Sequence, residues 1–171
     1  MTIKRILVPI DFSEPSLKGL HRAVALSQHF GATLLVLFVA EVIYYAAENV
    51  GRLLEDQRRQ AESELAELKA RLAQQGVKLQ TLLETGVPAQ AIVDAARRHS
   101  VELIVMATHG RTGLSHLLMG SVAEKVVRTA ACPVLTIPTS RLAAPRSRGR
   151  QPVVGREPPR VSGLRRRAPL R

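Results

Sequence analysis

Residues 103–127 read LIVMATHGRTGLSHLLMGSVAEKVV, and their reading decides the fold. An apolar run from Leu103 ends at the small residue Ala107. Three glycines, two histidines and an arginine follow, and Gly120-Ser121 then opens a segment with helical spacing. A buried strand, a glycine-bearing loop and a helix, in that order, form one unit of an alternating α/β fold. Ser121 and Glu124 stand at the S-x-x-E spacing of a capping box, which predicts a helix over residues 121–130 with Ser121 as its cap. The residues alone leave two readings of the loop open. A helix start offers N–H donors and a positive dipole end to an anion, and glycines let the backbone come close to it. Equally, Ser121 only caps the helix and the glycines only shape a connection.

Working outward, the same alternation extends over the chain. KRILVPI (residues 4–10) is a compact run of branched residues. It is followed by DFSEPS, in which Ser13, Glu14 and Pro15 suit the first turn of a helix. Leu17, Leu20 and Val24 recur at helical spacing, and Gly31 is the stop. ATLLVLFVA (32–40) is a second buried-type strand. Residues 48–74 predict a long helix with Leu54, Ala61, Leu65, Leu68 and Leu72 on one face, ended by Gly76. VKLQTLLE (77–84) is a third strand. It is less apolar and alternates at first, which places it near a sheet edge. Pro88 sits in the first turn of a third helix. VELIVMA (101–107) has no polar position after Glu102, as a strand in the sheet interior requires. CPVLTIP (132–138) is a short last strand bracketed by Pro133 and Pro138.

The order β-α-β-α-β-α-β-α-β predicts a three-layer α/β/α, Rossmann-like fold on a five-stranded parallel sheet. Ligands of such sheets bind beyond the carboxyl ends of the strands, where strand order reverses. That directs attention to Asp11, to Ala40 and Glu41, and to residues 107–110.

Composition sets the remaining bounds. The chain of 171 residues suits one domain, and its 3% aromatic content without tryptophan leaves the core to Leu, Val, Ile and Ala. No apolar run is long enough to cross a bilayer, and Asp11 interrupts the N-terminal run, so a cytoplasmic protein is expected. A single cysteine, Cys132, excludes an intramolecular disulfide. It reads as a small buried residue. The net charge of +11 is unevenly placed. Residues 139–171 hold ten arginines, no lysine and one acid, Glu157, so of 25 Lys+Arg and 14 Asp+Glu in the chain, 15 basic against 13 acidic residues remain in 1–138. The folded part is nearly balanced and has no overall character of a nucleic-acid-binding domain. Residues 139–171 form an expected disordered Arg/Pro-rich tail with no apolar periodicity. Non-specific, salt-sensitive binding of nucleic acid by that tail and a solvated extension without a role both stay open.

No G-x-G-x-x-G and no Walker-type phosphate loop occurs. There is no nucleophile elbow, no motif-placed carboxylate pair and no metal-ligand spacing around His109 and His116. These two histidines read as ordinary loop residues, and Arg111 as a solvated loop cation or an electrostatic partner for phosphate.

PIDFSEPS, LFVAE and VMATHGRTGLSHLLMGSVAEKVVRTAACPVLTIP, in this order and spacing, resemble the universal stress protein family over residues 1–138. The ATP-binding branch of that family has the pattern G-x2-G-x9-G-[ST]. It falls here on Ala107, Gly110, Gly120 and Ser121, so alanine stands at the first glycine. The resemblance implies ATP as ligand, with Mg²⁺ as its accompanying cation. Asp11, beside Pro9, would hold the ribose or adenine side. The backbone at Val39 would recognise adenine, and Met106 and Ala107 would line the floor. Gly110, Gly120, Ser121 and Val122 would hold the phosphates. It further implies a sensing or signalling protein of the stress response rather than a dedicated catalyst, and a homodimer joined through the last strand, residues 133–138. An unidentified signalling partner would read the nucleotide state. The alternative is a nucleotide-free interaction module on the same fold, with Ala107 marking the loss. For Asp11 the residues alone leave open a plain role as a cap of the first helix.

Overall fold

A computed structural model describes residues 2–41, 50–110 and 119–138. It contains β1 (Arg5–Ile10), α1 (Glu14–Phe30), β2 (Thr33–Glu41), α2 (Val50–Ala73), β3 (Leu79–Gly86), α3 (Pro88–Arg98), β4 (Leu103–Ala107), α4 (Ser121–Thr129) and β5 (Val134–Ile137). The strands form one sheet of order β3-β2-β1-β4-β5. All its pairings are parallel. This is the expected α/β/α architecture. β3 lies at one edge, as its mixed composition implied, and β4 lies inside. The predicted start of the second helix at Glu48 and the tail fall outside the described residues.

Alternation along each strand supplies two cores. Ile6, Val8, Ile10, Leu34, Val36, Phe38 and Val105 face α1 and α2, where they meet Leu20, Ala23, Ala61, Leu65, Leu68 and Leu72. Leu7, Leu35, Leu37, Ile104 and Met106 face α3 and α4, where they meet Ile92, Val93, Ala96, Ala123 and Val126. Strands buried on both faces need near-continuous apolar sequence, and β1, β2 and β4 have it.

The ends of α1 follow its sequence. Ser13 is the N-cap, its hydroxyl accepting from the Ser16 N–H, and Gly31 closes the helix at φ 65°. On α1, Leu20 is buried and Val24 packs against the core as expected, but Leu17 departs from that face. Leu17 is exposed, and the buried stripe is Ser16, Gly19, Leu20, Ala23 and Ser27. The reason is close packing: a Cβ on Gly19 would lie 3.2 Å from the Ala107 backbone nitrogen. Small residues let α1 settle directly onto the end of β4, beside the site described below, and a leucine face could not come so near.

At the opposite end of the sheet the Glu102 carboxylate accepts from the Lys4 and Arg5 backbone N–H groups, at 3.2 and 2.7 Å, and so ties the start of β1 to the start of β4. Ile104, fully buried in the middle of the α3–α4 core, is the position where truncation should cost most. Ile104→Ala is expected to lower unfolding stability by about 2–5 kcal/mol, read from urea denaturation with an unchanged m-value.

Candidate functional site

The five strands run parallel, so their carboxyl ends share one edge of the sheet. β1 is connected outward to β2 on one side and lies beside β4 on the other. The chain ends leaving β1 and β4 therefore diverge, and a crevice opens between them. A cavity of about 190 Å³ occupies it, with walls from β1 (Pro9, Ile10), the turn after it (Asp11), β2 (Leu37, Val39), α3 (Pro88, Ile92), β4 and its continuation (residues 106–110) and the start of α4. Pro9, Asp11, Val39, Met106, Ala107, Gly110, Gly120, Ser121 and Val122, the nine residues singled out above, all border this one cavity. Thr108 and His109, within the stretch 107–110 noted above, border it as well, whereas reasoning from sequence missed Ile10, Ser16, Leu37, Pro88, Ile92 and Ala123. Ser16 had a visible signal, a polar residue on the apolar stripe of α1. Pro88 and Ile92 had none, because only the crossover brings α3 over the strand ends.

The turn after β1 is sharply constrained. Phe12 has φ 61°, a left-handed conformation unfavourable for an aromatic residue, and its ring packs 5.5 Å from that of Phe38. Asp11 Oδ1 accepts from the Ser13 N–H at 3.0 Å and from the Ser13 hydroxyl at 2.5 Å, and the Asp11 N–H donates to Ser16 Oγ at 3.3 Å. Asp11 is thus not the cap of α1; Ser13 is.

The glycines are required by close approach and not by unusual torsion. A Cβ on Gly110 would lie 2.6 Å from Asp11 Oδ2. A Cβ on Gly120 would lie 3.0 Å from the Thr108 carbonyl oxygen and 3.6 Å from His109 Cα. Gly120 N–H donates to that same carbonyl at 2.7 Å, which pins the start of α4 to the end of β4.

The capping box predicted from Ser121 and Glu124 does not form. Gly120 is the N-cap, with φ −71° and ψ 154°, and Ser121 is the first residue of the helix. The Glu124 N–H is taken by the Gly120 carbonyl, and the Glu124 carboxylate lies 3.7 Å from Arg128, one turn on. The close contact at Thr108 selects glycine as the cap, so the Ser121 hydroxyl has no capping task. The backbone N–H groups of Ser121 and Val122 belong to the first turn, where α-helix geometry supplies no acceptor within the helix. Both residues border the cavity, at the positive end of the helix dipole.

Ala107, the departure from the glycine pattern, closes β4 in ordinary strand geometry, paired with Ile137. It is not at positive φ. Strand alternation puts its methyl on the α1 face with Val105, whereas the apolar wall of the cavity comes from the opposite face, with Met106. His109 lies at the cavity rim, a ring nitrogen 3.0 Å from the Thr108 hydroxyl. Cys132 is half-buried, and burial pushes its thiol pKa up, so it stays a neutral thiol at neutral pH. Arg111, Gly113 and His116 lie outside the described residues.

A family model for the universal stress protein family matches residues 2–138. The chain belongs to the universal stress protein family. A universal stress protein of Methanocaldococcus jannaschii, MJ0531, is 36% identical over 141 residues, covering 78% of this chain and 81% of that protein. The solved structure of MJ0577 from the same organism superposes with a TM-score of 0.75 at 29% identity, over 82% of this chain and 99% of that one. A more distant structure, a universal stress protein in complex with cAMP, shares the fold with a TM-score of 0.64 at 22% identity over 82% of this chain and 100% of that one.

The two close approaches differ in what they meet. Gly120→Ala drives a methyl into backbone and should cost about 1–3 kcal/mol of stability. Gly110→Ala meets a carboxylate that can turn aside and should cost less. Chemical denaturation of both variants tests this, and equal losses would contradict the geometry.

Proposed function

We propose that this protein is an adenine-nucleotide-binding regulator of the stress response, with ATP as its ligand, acting in the cytoplasm as a sensing or signalling homodimer and not as a dedicated catalyst. One observation carries the reading: an apolar slot, a carboxylate and a helix start succeed one another along a single cavity. Pro9, Leu37, Val39, Ile92 and Met106 offer apolar walls for a base. Asp11 stands in the middle, where a carboxylate suits sugar hydroxyls and repels phosphate. Gly110, Gly120, Ser121 and Val122 form the end where backbone N–H groups and the helix dipole suit phosphate. The enclosed volume of about 190 Å³ is below the ~300 Å³ of most whole-ligand pockets. It fits base and sugar, with the phosphates at the rim. The structure of a relative of this fold in complex with cAMP supports an adenine nucleotide as the ligand class. Mg²⁺ would arrive with the triphosphate. Among the described residues no group of three metal-ligating side chains is assembled, so the triphosphate itself would supply most of its ligands.

The route from ligand to partner is short. Thr108, in the cavity wall, donates its N–H to the carbonyl of Ile137, the last residue of β5, at 3.0 Å. α4 leads from the phosphate end to that same strand. β5 is the outer strand beside β4, with Leu135 exposed. An outer strand of this kind suits pairing with a second copy about a two-fold axis. Nucleotide at the start of α4 would then bias the dimer, which the signalling partner reads.

The full-length protein, freshly purified and heat-precipitated, should release adenine nucleotide detectable by mass spectrometry. Millimolar ATP should raise the melting temperature of nucleotide-stripped protein by several degrees, roughly as mass action requires. No released nucleotide together with no shift would refute the reading.

Ala107 favours the second reading, a nucleotide-free interaction module. The two separate cleanly. If Ala107 leaves the site competent, Ala107→Gly changes ATP affinity by less than about threefold, because its methyl lies on the α1 face. Affinity for ATP that appears only in Ala107→Gly would establish the nucleotide-free reading instead.

A further inference from the structure

The turn between β1 and α1 holds an aromatic residue where the backbone favours glycine. Phe12 has φ 61°, in the left-handed region. L-residues avoid that region by about five- to thirtyfold. A side chain persists there only where its surroundings hold it. The Phe12 ring supplies such a hold. Its centroid lies 5.5 Å from that of Phe38, with the ring planes inclined at 31°, and it packs against the core on the α1–α2 face. Phe38 is buried and is the register partner of Ile10, two residues before Phe12. The ring therefore ties the turn to the neighbouring strand. Both partners stand behind the cavity. Asp11 and Ser16, on either side of Phe12 in the chain, border it, and so do Leu37 and Val39, on either side of Phe38. Strand alternation puts Leu37 and Val39 on the opposite face of β2 from Phe38. From outside the cavity, the ring pair joins the turn that forms one wall to the strand that forms another.

We infer that Phe12 is a positioning residue: its ring, packed on Phe38, holds the turn after β1 in the left-handed conformation that makes this turn a wall of the nucleotide cavity. The inference rests on the nucleotide reading above and adds to it the residue that keeps the cavity formed before the ligand arrives. Glycine would take the same torsion without any ring, because it has no Cβ to clash. An L-residue without the ring would leave that torsion for the right-handed or extended region and carry the adjoining backbone with it. The fraction of molecules with a competent cavity would then fall, and the affinity for nucleotide would fall in proportion.

The test compares the full-length, nucleotide-stripped protein with its Phe12→Ala and Phe12→Gly variants. Titration calorimetry gives the dissociation constant of ATP. Amide hydrogen exchange reads the Asp11 and Ser13 N–H groups, which donate to Ser16 Oγ and Asp11 Oδ1 across the turn. Both variants lose the same ring, and Phe12 is only half-buried, so both should fold. Phe12→Ala should weaken ATP about tenfold and speed exchange of both amides by about the same factor. Phe12→Gly, the smaller side chain, should keep both quantities within about threefold of the natural protein. A ring that only fills space predicts the reverse order, since glycine loosens a chain more than alanine does. Equal changes in the two variants, or a change in neither, overturn the proposal. A Phe12→Ala protein that fails to fold where Phe12→Gly folds supports it, the same torsion being read as stability. Failure of both to fold overturns it by making the ring a core residue. Natural protein that binds no ATP overturns the nucleotide reading, and the exchange rates of the two variants then decide the pinned turn by themselves.

Discussion

The handedness of the β-α-β crossover is the constraint from which the rest of this molecule follows. A right-twisted strand, a helix and a parallel strand pack back on one another almost only in the right-handed sense. From β1 the chain steps to β2 and β3 in one direction, then returns past β1 to β4 and β5 in the other. Reversing direction at constant hand forces the helices to change face. α1 and α2 accordingly bury one side of the sheet and α3 and α4 the other. The connections leaving β1 and β4 run to opposite sides, and the crevice between them is a consequence of topology before any residue is chosen for binding.

The residues then adapt that crevice by close approach. Gly19 brings α1 down on Ala107, Gly120 brings α4 against Thr108, and Gly110 stands against the Asp11 carboxylate. None of these three glycines is at positive φ. Each is small because backbone or the Asp11 carboxylate occupies the space where a side chain would go. The same principle accounts for the failed capping box. A serine at position 120 would have capped α4 with its side chain, but the Thr108 carbonyl leaves no room, so a glycine takes the cap and Ser121 begins the helix at the border of the cavity. In this site the packing of backbone on backbone decides which local rule is kept.

Much of the fold could be read from the residues. Strand composition separated β4, apolar throughout, from the edge strand β3, where Gln80 and Glu84 interrupt the run. Caps located both ends of α1, because Ser13 and Gly31 act locally. The stripe of Ala61, Leu65, Leu68 and Leu72 gave the buried face of α2, since a 3.6-residue period suffices there. On α1, Leu20 and Val24 lie on the expected face and Leu17 does not, because the rest of the buried stripe is built of small residues. Periodicity measures hydrophobicity, whereas α1 was shaped by the distance to β4. For the site, the residues at strand ends and at the start of α4 were legible because topology alone marks those positions.

By itself, the sequence determined the order of elements, the family, and which positions would face the carboxyl edge of the sheet. These depend on composition, period and motif spacing, all of which are local in the chain. Only the tertiary structure decided what each position does there. It assigned Ser121 to the cavity instead of a cap, put the Ala107 methyl on the α1 face, and added Leu37, Pro88 and Ile92 to the walls. It also set the Phe12 ring against Phe38, on the strand that follows α1. The physical reason is common to all four. Whether a side chain caps, lines or braces depends on which atoms lie within a few ångströms of it, and in a parallel sheet those atoms come from strands that the chain reaches only after a full crossover.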